Sequence, residues 1–222
     1  YNILEIAYYS SSDKKIDIDL IKKINNKPNL FIDKNGDNYY NIISAFQKSI
    51  RGSDVNASLH YLARLLEAED LDIIVRRLSV IVYEDIGLAN SQALVVATNA
   101  FLAVERIGMP EAAKILAHAA LYVCCSPKSD TVSRGITQAM ADAKQTTNVP
   151  IPPFLQDASY KNAQKLGRGV GLDNIHAFKN HYSGKKCMPK ELSNRHYFQL
   201  TQMGNEKSIQ KFLDYLRENR NN

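Results

Sequence analysis

This sequence predicts an all-α fold, a helical bundle carrying an irregular basic tail that closes in a helix, and three observations carry that prediction. Apolar residues from Tyr39 to Leu88 recur at three- and four-residue steps. Helix-starting and helix-ending residues punctuate the chain as far as about Thr146. From Val149 onward, prolines and glycines break that period.

Tyr1 to Ala7 is helical in pattern with no capping residue before it, so the segment reads as cut from a longer polypeptide. A short helix from Asp19 to Ile24 is expected to end ahead of Pro28, and Asp33-Lys34-Asn35-Gly36-Asp37 signals a turn. Next, Ile42, Ile43, Phe46 and Ile50 share one helical face, with Gly52 read as its left-handed cap. Ser53 or Asp54 caps a helix whose Leu59, Leu62, Ala63, Leu65 and Leu66 form a buried stripe. A third helix carries Ile73, Ile74, Leu78, Ile81 and Val82 up to Gly87, giving two antiparallel helix hairpins in series.

Asn90 or Ser91 then starts a helix that runs to Arg106 and is stopped by Gly108. Pro110 sits at the first turn of another that reaches Cys125, and Ser129 or Asp130 starts one ending near Thr147. The body is therefore a bundle of about six helices. Val149 to Pro153 must run extended, because each proline lacks a donor and biases its predecessor toward extended geometry. A short helix near Tyr160 to Leu166, a Gly-rich turn and a loop follow. The closing helix, about Glu206 to Arg220, has Ile209, Phe212, Leu213 and Leu216 on one side. The chain divides as 1–30, 31–148 and 149–222.

With 222 residues and 45% hydrophobic content, the chain can bury a sizeable core. No stretch approaches the roughly 20 apolar residues of a membrane span, and no export signal is evident, so a soluble protein with no membrane partner is expected. Three cysteines, two of them adjacent at Cys124 and Cys125, make no secreted disulfide framework and suit a reducing cytoplasm. The formal charge of +5 is uneven: residues 1–149 hold 16 basic against 17 acidic groups, and 150–222 hold 12 against 6. A basic tail on a neutral body suggests attraction to phosphate or to an acidic peptide; a merely solvated surface is the blander account.

No GxxxxGK[ST] occurs, so the chain lacks a loop to cradle nucleotide phosphates. Gly167-Arg168-Gly169-Val170-Gly171 follows a helix rather than a strand, which leaves a flexible turn. His176, His181, Cys187 and His196 are zinc-ligand types, but they are scattered rather than closely paired, so no metal site is assigned. Glu84 and Asp85 have no nucleophile beside them and are read as acceptors for Arg76, Arg77 or backbone. Ser126-Pro127-Lys128-Ser129 is a helix connection with Ser129 as cap. No catalytic residue is assigned.

From Asp33 to about Leu172 the chain resembles the C-terminal region of the MgsA/RarA family of replication-associated recombination ATPases, relatives of the eukaryotic Werner helicase-interacting protein. The stretches that carry the resemblance are Ile43 to Asp54, with Arg51-Gly52-Ser53-Asp54 at its end, Ala57 to Glu67, Arg76-Arg77-Leu78, Glu84-Asp85-Ile86-Gly87-Leu88-Ala89, and Ala120-Leu121-Tyr122 leading to Ser126-Pro127-Lys128-Ser129. The resemblance implies that residues 1–30 end an AAA+ lid domain and that 31–148 form a helical domain related to the clamp-loader collar. It implies that the ATP- and Mg-binding motifs lie upstream of Tyr1 and that this part assembles as a homotetramer. It also implies a cytoplasmic, nucleoid-associated protein acting on DNA at stalled replication forks together with single-stranded-DNA-binding protein. The family pattern fades after the glycine turn, where Lys185 and Lys186 stand as basic replacements.

Two further readings stand beside that assembly module. Lys161, Lys165, Arg168, Lys185, Lys186 and Lys190, interleaved with Tyr160 and Tyr182, suit a stand-alone binder of single-stranded nucleic acid or of an acidic peptide. A free-standing enzyme would need a coherent catalytic constellation, which the sequence does not offer.

Overall fold

A computed structural model describes residues 37–68 and 70–219, with further described positions at 5, 7–9, 11, 15–18, 20 and 21. The expected end of the lid domain at 1–30, its second helix and the turn at 33–36 fall largely outside the described residues. No strand occurs among the described residues, so the all-α expectation holds.

The body is built from α1 (Asp37–Arg51), α2 (Val55–Glu67), α3 (Leu71–Ile81), α4 (Gln92–Ile107), α5 (Ala112–Cys124) and α6 (Thr131–Gln145). α1 pairs with α2, α4 pairs with α5, and α2 lies against α5, so an α1–α2 hairpin and an α4–α5 hairpin share a core, while the second hairpin expected before Gly87, α2 with α3, is only a slight contact. That core holds Phe46, Ile50, Leu62, Leu65, Ile74, Leu78, Leu116 and Val123, all essentially inaccessible. Each such side chain contributes about 1.5–3 kcal/mol of burial. α4 buries Ala93, Ala97 and Ala100, α5 buries Ala112, Ala119 and Ala120, and the two helices pack on one another. Small side chains let the two backbones approach closely.

The helix boundaries follow the sequence with three corrections, one being that Pro110 precedes α5, which Glu111 caps, rather than lying in its first turn. The left-handed residue that ends α1 is Ser53 (φ 56°), not Gly52. The Ser53 amide donates to the Ile50 carbonyl and the Asp54 amide to that of Ser49, which is a Schellman closure with its left-handed position one residue later than expected. The third helix ends at Ile81, after which Val82–Ile86 widens into a π-turn before Gly87 (φ 49°). Asp54 caps α2 by accepting from the Ala57 amide at 2.9 Å, as its sequence position predicted.

Beyond α6 a turn closes at Val149, whose amide donates to the Thr146 carbonyl, residues 150–152 carry no regular structure, and single 3₁₀ turns follow at Pro153–Leu155, Ala163–Leu166, Ile175–Ala177, Lys179–His181 and Lys190–Leu192, so the extended run expected from Val149 to Pro153 is confined to its middle. The helix expected near 160–166 is thus only one such turn. α7 (Glu206–Glu218) closes the described chain; Ile209, Leu213 and Leu216 are partly covered, whereas Phe212 points outward at 58% exposure.

Candidate functional site

The residues that carry the sequence resemblance converge on one junction where the α1–α2 turn, the π-turn and the α5–α6 connection meet. Arg51 bridges both adjacent carboxylates: its Nε donates to Asp85 Oδ1 at 2.7 Å and its Nη2 to Glu84 Oε1 at 3.1 Å. Asp85 is almost buried while Glu84 is half exposed, so the Asp85 contact is the stronger of the two. That hydrogen bond to Asp85 raises the pKa of Arg51. The expected donors Arg76 and Arg77 do not serve here; the Arg77 guanidinium turns to Gln47 instead. A long side chain from an element 34 positions away wins over the local candidates, because Arg76 and Arg77 precede the two carboxylates by about two helical turns, beyond the three- and four-residue spacing at which side chains meet.

Lys128 closes the same junction from the other side. Its ammonium donates to Ser53 Oγ at 2.9 Å and to the carbonyls of Cys124 and Ser126, both at 2.7 Å, satisfying acceptors left open at the end of α5. Burial lowers the pKa of this lysine. The Ser129 amide donates to the Asp85 carbonyl at 2.7 Å, and a Cβ at Gly87 would touch Val132 at 3.4 Å. Pro127 packs beneath Gly204, where a Cβ would come within 2.9 Å of the proline ring.

Glu206 joins the tail to this junction. Its side chain is fully buried and accepts from Ser129 Oγ at 2.7 Å, Thr131 Oγ1 at 3.2 Å, and the Thr201 amide and hydroxyl at 2.7 and 2.6 Å. Burial pushes this carboxyl up, but the hydrogen bonds from Thr201, Ser129 and Thr131 outweigh it and hold the group below the usual glutamate value. Nothing in the sequence separates this glutamate from a solvated one at the start of an amphipathic helix. The role expected for Ser129 therefore changes: its hydroxyl does receive the Thr131 amide at 3.3 Å, but it also donates to Glu206. Further along, Tyr197 and Arg195 both engage Asp142, at 2.8 and 3.0 Å, and lay the chain along α6.

The six tail cations do not form one cluster of free charge. Lys185 is engaged internally: it donates to the Gly171 carbonyl, pairs with Asp173 at 3.6 Å and lies 4.3 Å from the centre of the Phe154 ring. Arg168 lies over Tyr160 at 5.7 Å. Lys161, Lys165, Lys186 and Lys190 are exposed. Gly169 fits against Ala158, where a Cβ would come within 2.6 Å of the alanine methyl, so the glycine turn is a packing device rather than a nucleotide loop. Phe154, Leu172, Tyr182, Lys185 and Cys187 border a cavity of about 270 Å³. His176 and His181 meet edge to face at 5.2 Å, and among the described residues no three His, Cys, Asp or Glu side chains could hold a metal ion.

A family model described as MgsA AAA+ ATPase C terminal matches residues 52–217, and one described as AAA C-terminal domain matches residues 1–51. Replication-associated recombination protein A of Bacillus subtilis (strain 168) is 44% identical over 221 residues, covering 97% of this chain and 52% of that protein. Its namesake in Escherichia coli (strain K12) is 32% identical over 217 residues, covering 96% of this chain and 48% of that protein. ATPase WRNIP1 of Dictyostelium discoideum is 33% identical over 198 residues, covering 86% of this chain and 22% of that protein. The chain spans about half the length of these bacterial relatives.

Proposed function

The chain belongs to the MgsA AAA+ ATPase C-terminal family, and from that membership we propose that it is the self-assembly and partner-docking part of an AAA+ ATPase that acts at stalled replication forks. The observation that carries the assembly reading is apolar surface left over after intrachain packing. Val95, Leu102, Ile107 and Met109 stand exposed on and after α4, and Tyr83, Val132, Ile136 and Met140 stand exposed at the π-turn and α6. The alanine faces of α4 and α5 are already used within the chain, so association falls to these outer residues.

On this reading ATP and its Mg ion are handled by protein outside the 222 residues, which contain no GxxxxGK[ST]. The chain itself is not an enzyme; it holds identical copies together as a homotetramer in the cytoplasm. The tail supplies a second function, contact with DNA or with single-stranded-DNA-binding protein, supported by the exposed Lys161, Lys165, Lys186 and Lys190 and by the stacking of Arg168 on Tyr160. No described helix is long and apolar enough to cross a membrane.

Light scattering across a concentration series tests the assembly reading. The expected mass is close to four times 25.0 kDa. A monomer at every concentration would overturn self-assembly by this chain and leave the basic tail as its functional surface.

A further inference from the structure

We propose that the outward face of α7, where Phe212 and Tyr215 stand beside Lys207 and Lys211, is a platform on which the bases of single-stranded DNA stack. The inference rests on the DNA-contact reading above and centres that contact on one helix.

The rotation of α7 is fixed from inside. Glu206 is fully buried against Ser129 and Thr131, and Ile209, Leu213 and Leu216 are partly covered. At about 100° per residue, Lys211, Tyr215 and Phe212 then fall on the solvent side, within an arc of about 100° and little more than one turn, with Lys207 one turn earlier. Phe212 is 58% exposed and Tyr215 46%, and both lysines are exposed. Neither lysine takes part in an ion pair among the described residues. Asp214 is taken by Arg217 at 2.9 Å, which leaves Glu218 at the far end of α7 as the acid on this side. The platform continues onto a neighbouring turn. The Tyr215 hydroxyl donates to Asn180 Oδ1 at 3.3 Å, which ties its ring to the turn at Lys179–His181. Lys179 is exposed in that turn, and Phe178 just before it is 41% exposed.

This composition selects the occupant. A partner helix seeks a continuous aliphatic stripe, but Ile209, Leu213 and Leu216 of α7 are turned toward the body and the outer face keeps only aromatic and basic groups with Ser208 between them. Lys179, Lys207 and Lys211 against Glu218 leave a positive surplus, which complements phosphate. Every base has a flat face that stacks on an aromatic ring, and in a duplex those faces already cover one another. Unpaired bases therefore fit Phe212 and Tyr215, and the ammonium groups alongside meet the backbone that joins the bases.

The 222-residue chain contains no tryptophan, so Phe212→Trp places a single fluorescent reporter at the stack. Unlabelled oligothymidylate is expected to quench its emission with the affinity that anisotropy gives for a labelled strand, while an abasic strand and a blunt duplex leave the emission unchanged. Phe212→Ala should weaken binding at least about fivefold and Phe212→Tyr should keep it. Lys211→Ala should flatten the log–log salt slope by roughly 0.7. Melting temperatures should hold, since both side chains are exposed. A chain that binds the strand with unchanged emission, and equally well with Phe212→Ala, would overturn the platform and leave DNA contact to the other tail lysines. Phe212→Ala that lowers the assembled mass in sedimentation but not DNA affinity would overturn it too, and assign this face to a contact between copies. No binding of the strand at any salt concentration would overturn both the platform and the DNA-contact reading.

Discussion

The Glu206 carboxylate at the start of α7 accepts a 2.7 Å hydrogen bond from the Ser129 hydroxyl, 77 residues earlier in the chain. With Thr131 and Thr201 completing the shell, a fully buried charge fastens the tail to the body. Glu206→Ala leaves those donors facing a void and is expected to cost about 2–4 kcal/mol. Urea unfolding gives the total, and hydrogen exchange should show lost protection in α7 before the body opens.

The same carboxylate makes stability depend on acid. Because its pKa is lowered on folding, the unfolded chain takes up the proton first as pH falls. The stabilisation is fully present above the ordinary glutamate range and is lost as pH falls through the folded value. The gap in urea midpoint between the parent and Glu206→Gln should therefore be wide at neutral pH and narrow below that range. A gap independent of pH would show that shape, not charge, holds the tail.

Arg51 and Asp85 form the second cross-chain pair. Arg51→Ala removes the partner of Asp85 Oδ1 when Oδ2 already has none. A loss of about 1–3 kcal/mol is expected by thermal denaturation. A double-mutant cycle with Asp85→Asn should show coupling, whereas Arg76→Ala should change little.

Two glycines with left-handed backbone should respond differently to alanine. A Cβ at Gly204 would stand 2.1 Å from the Ala89 carbonyl oxygen, while one at Gly108 meets nothing within 4 Å. Gly108→Ala should cost about 1–3 kcal/mol from backbone strain alone, because φ 72° with ψ −177° is a region that essentially only glycine enters. Gly204→Ala adds a clash to its strain, so it should cost more and disturb the Asn205-to-Ala89 hydrogen bond, measurable as a drop in melting temperature.

For the tail, fluorescence anisotropy with a single-stranded oligonucleotide should show affinity falling steeply with salt. Lys186→Ala should flatten the log–log slope by roughly 0.7 if it meets one phosphate. Lys185→Ala should change the slope less, because that ammonium is held by Gly171, Asp173 and Phe154. Salt-independent binding would rule out an electrostatic tail.

The helices were legible because their signals are local. The spacing of Ile42, Ile43, Phe46 and Ile50 states which face is buried, and Asp54 states where the next helix begins, whatever lies elsewhere. The left-handed position slipped from Gly52 to Ser53 because closure is set by which amides reach back to Ser49 and Ile50, and a serine can tolerate that geometry. The outward turn of Phe212 was hidden for a related reason: helical spacing defines a face but not what covers it.

By itself, the sequence determined the all-α class, the six helices of the body, the basic tail and the family, since periodicity, caps and ordered motif residues are written along the chain. Only the tertiary structure decided what those motif residues do. It brought Arg51 to Glu84 and Asp85, Lys128 to Ser53, and Glu206 to Ser129, and it withdrew Lys185 from the free charge of the tail. A carboxylate's partner is chosen by which donors the packed helices bring within about 3 Å, and that distance is fixed by packing rather than by position along the chain.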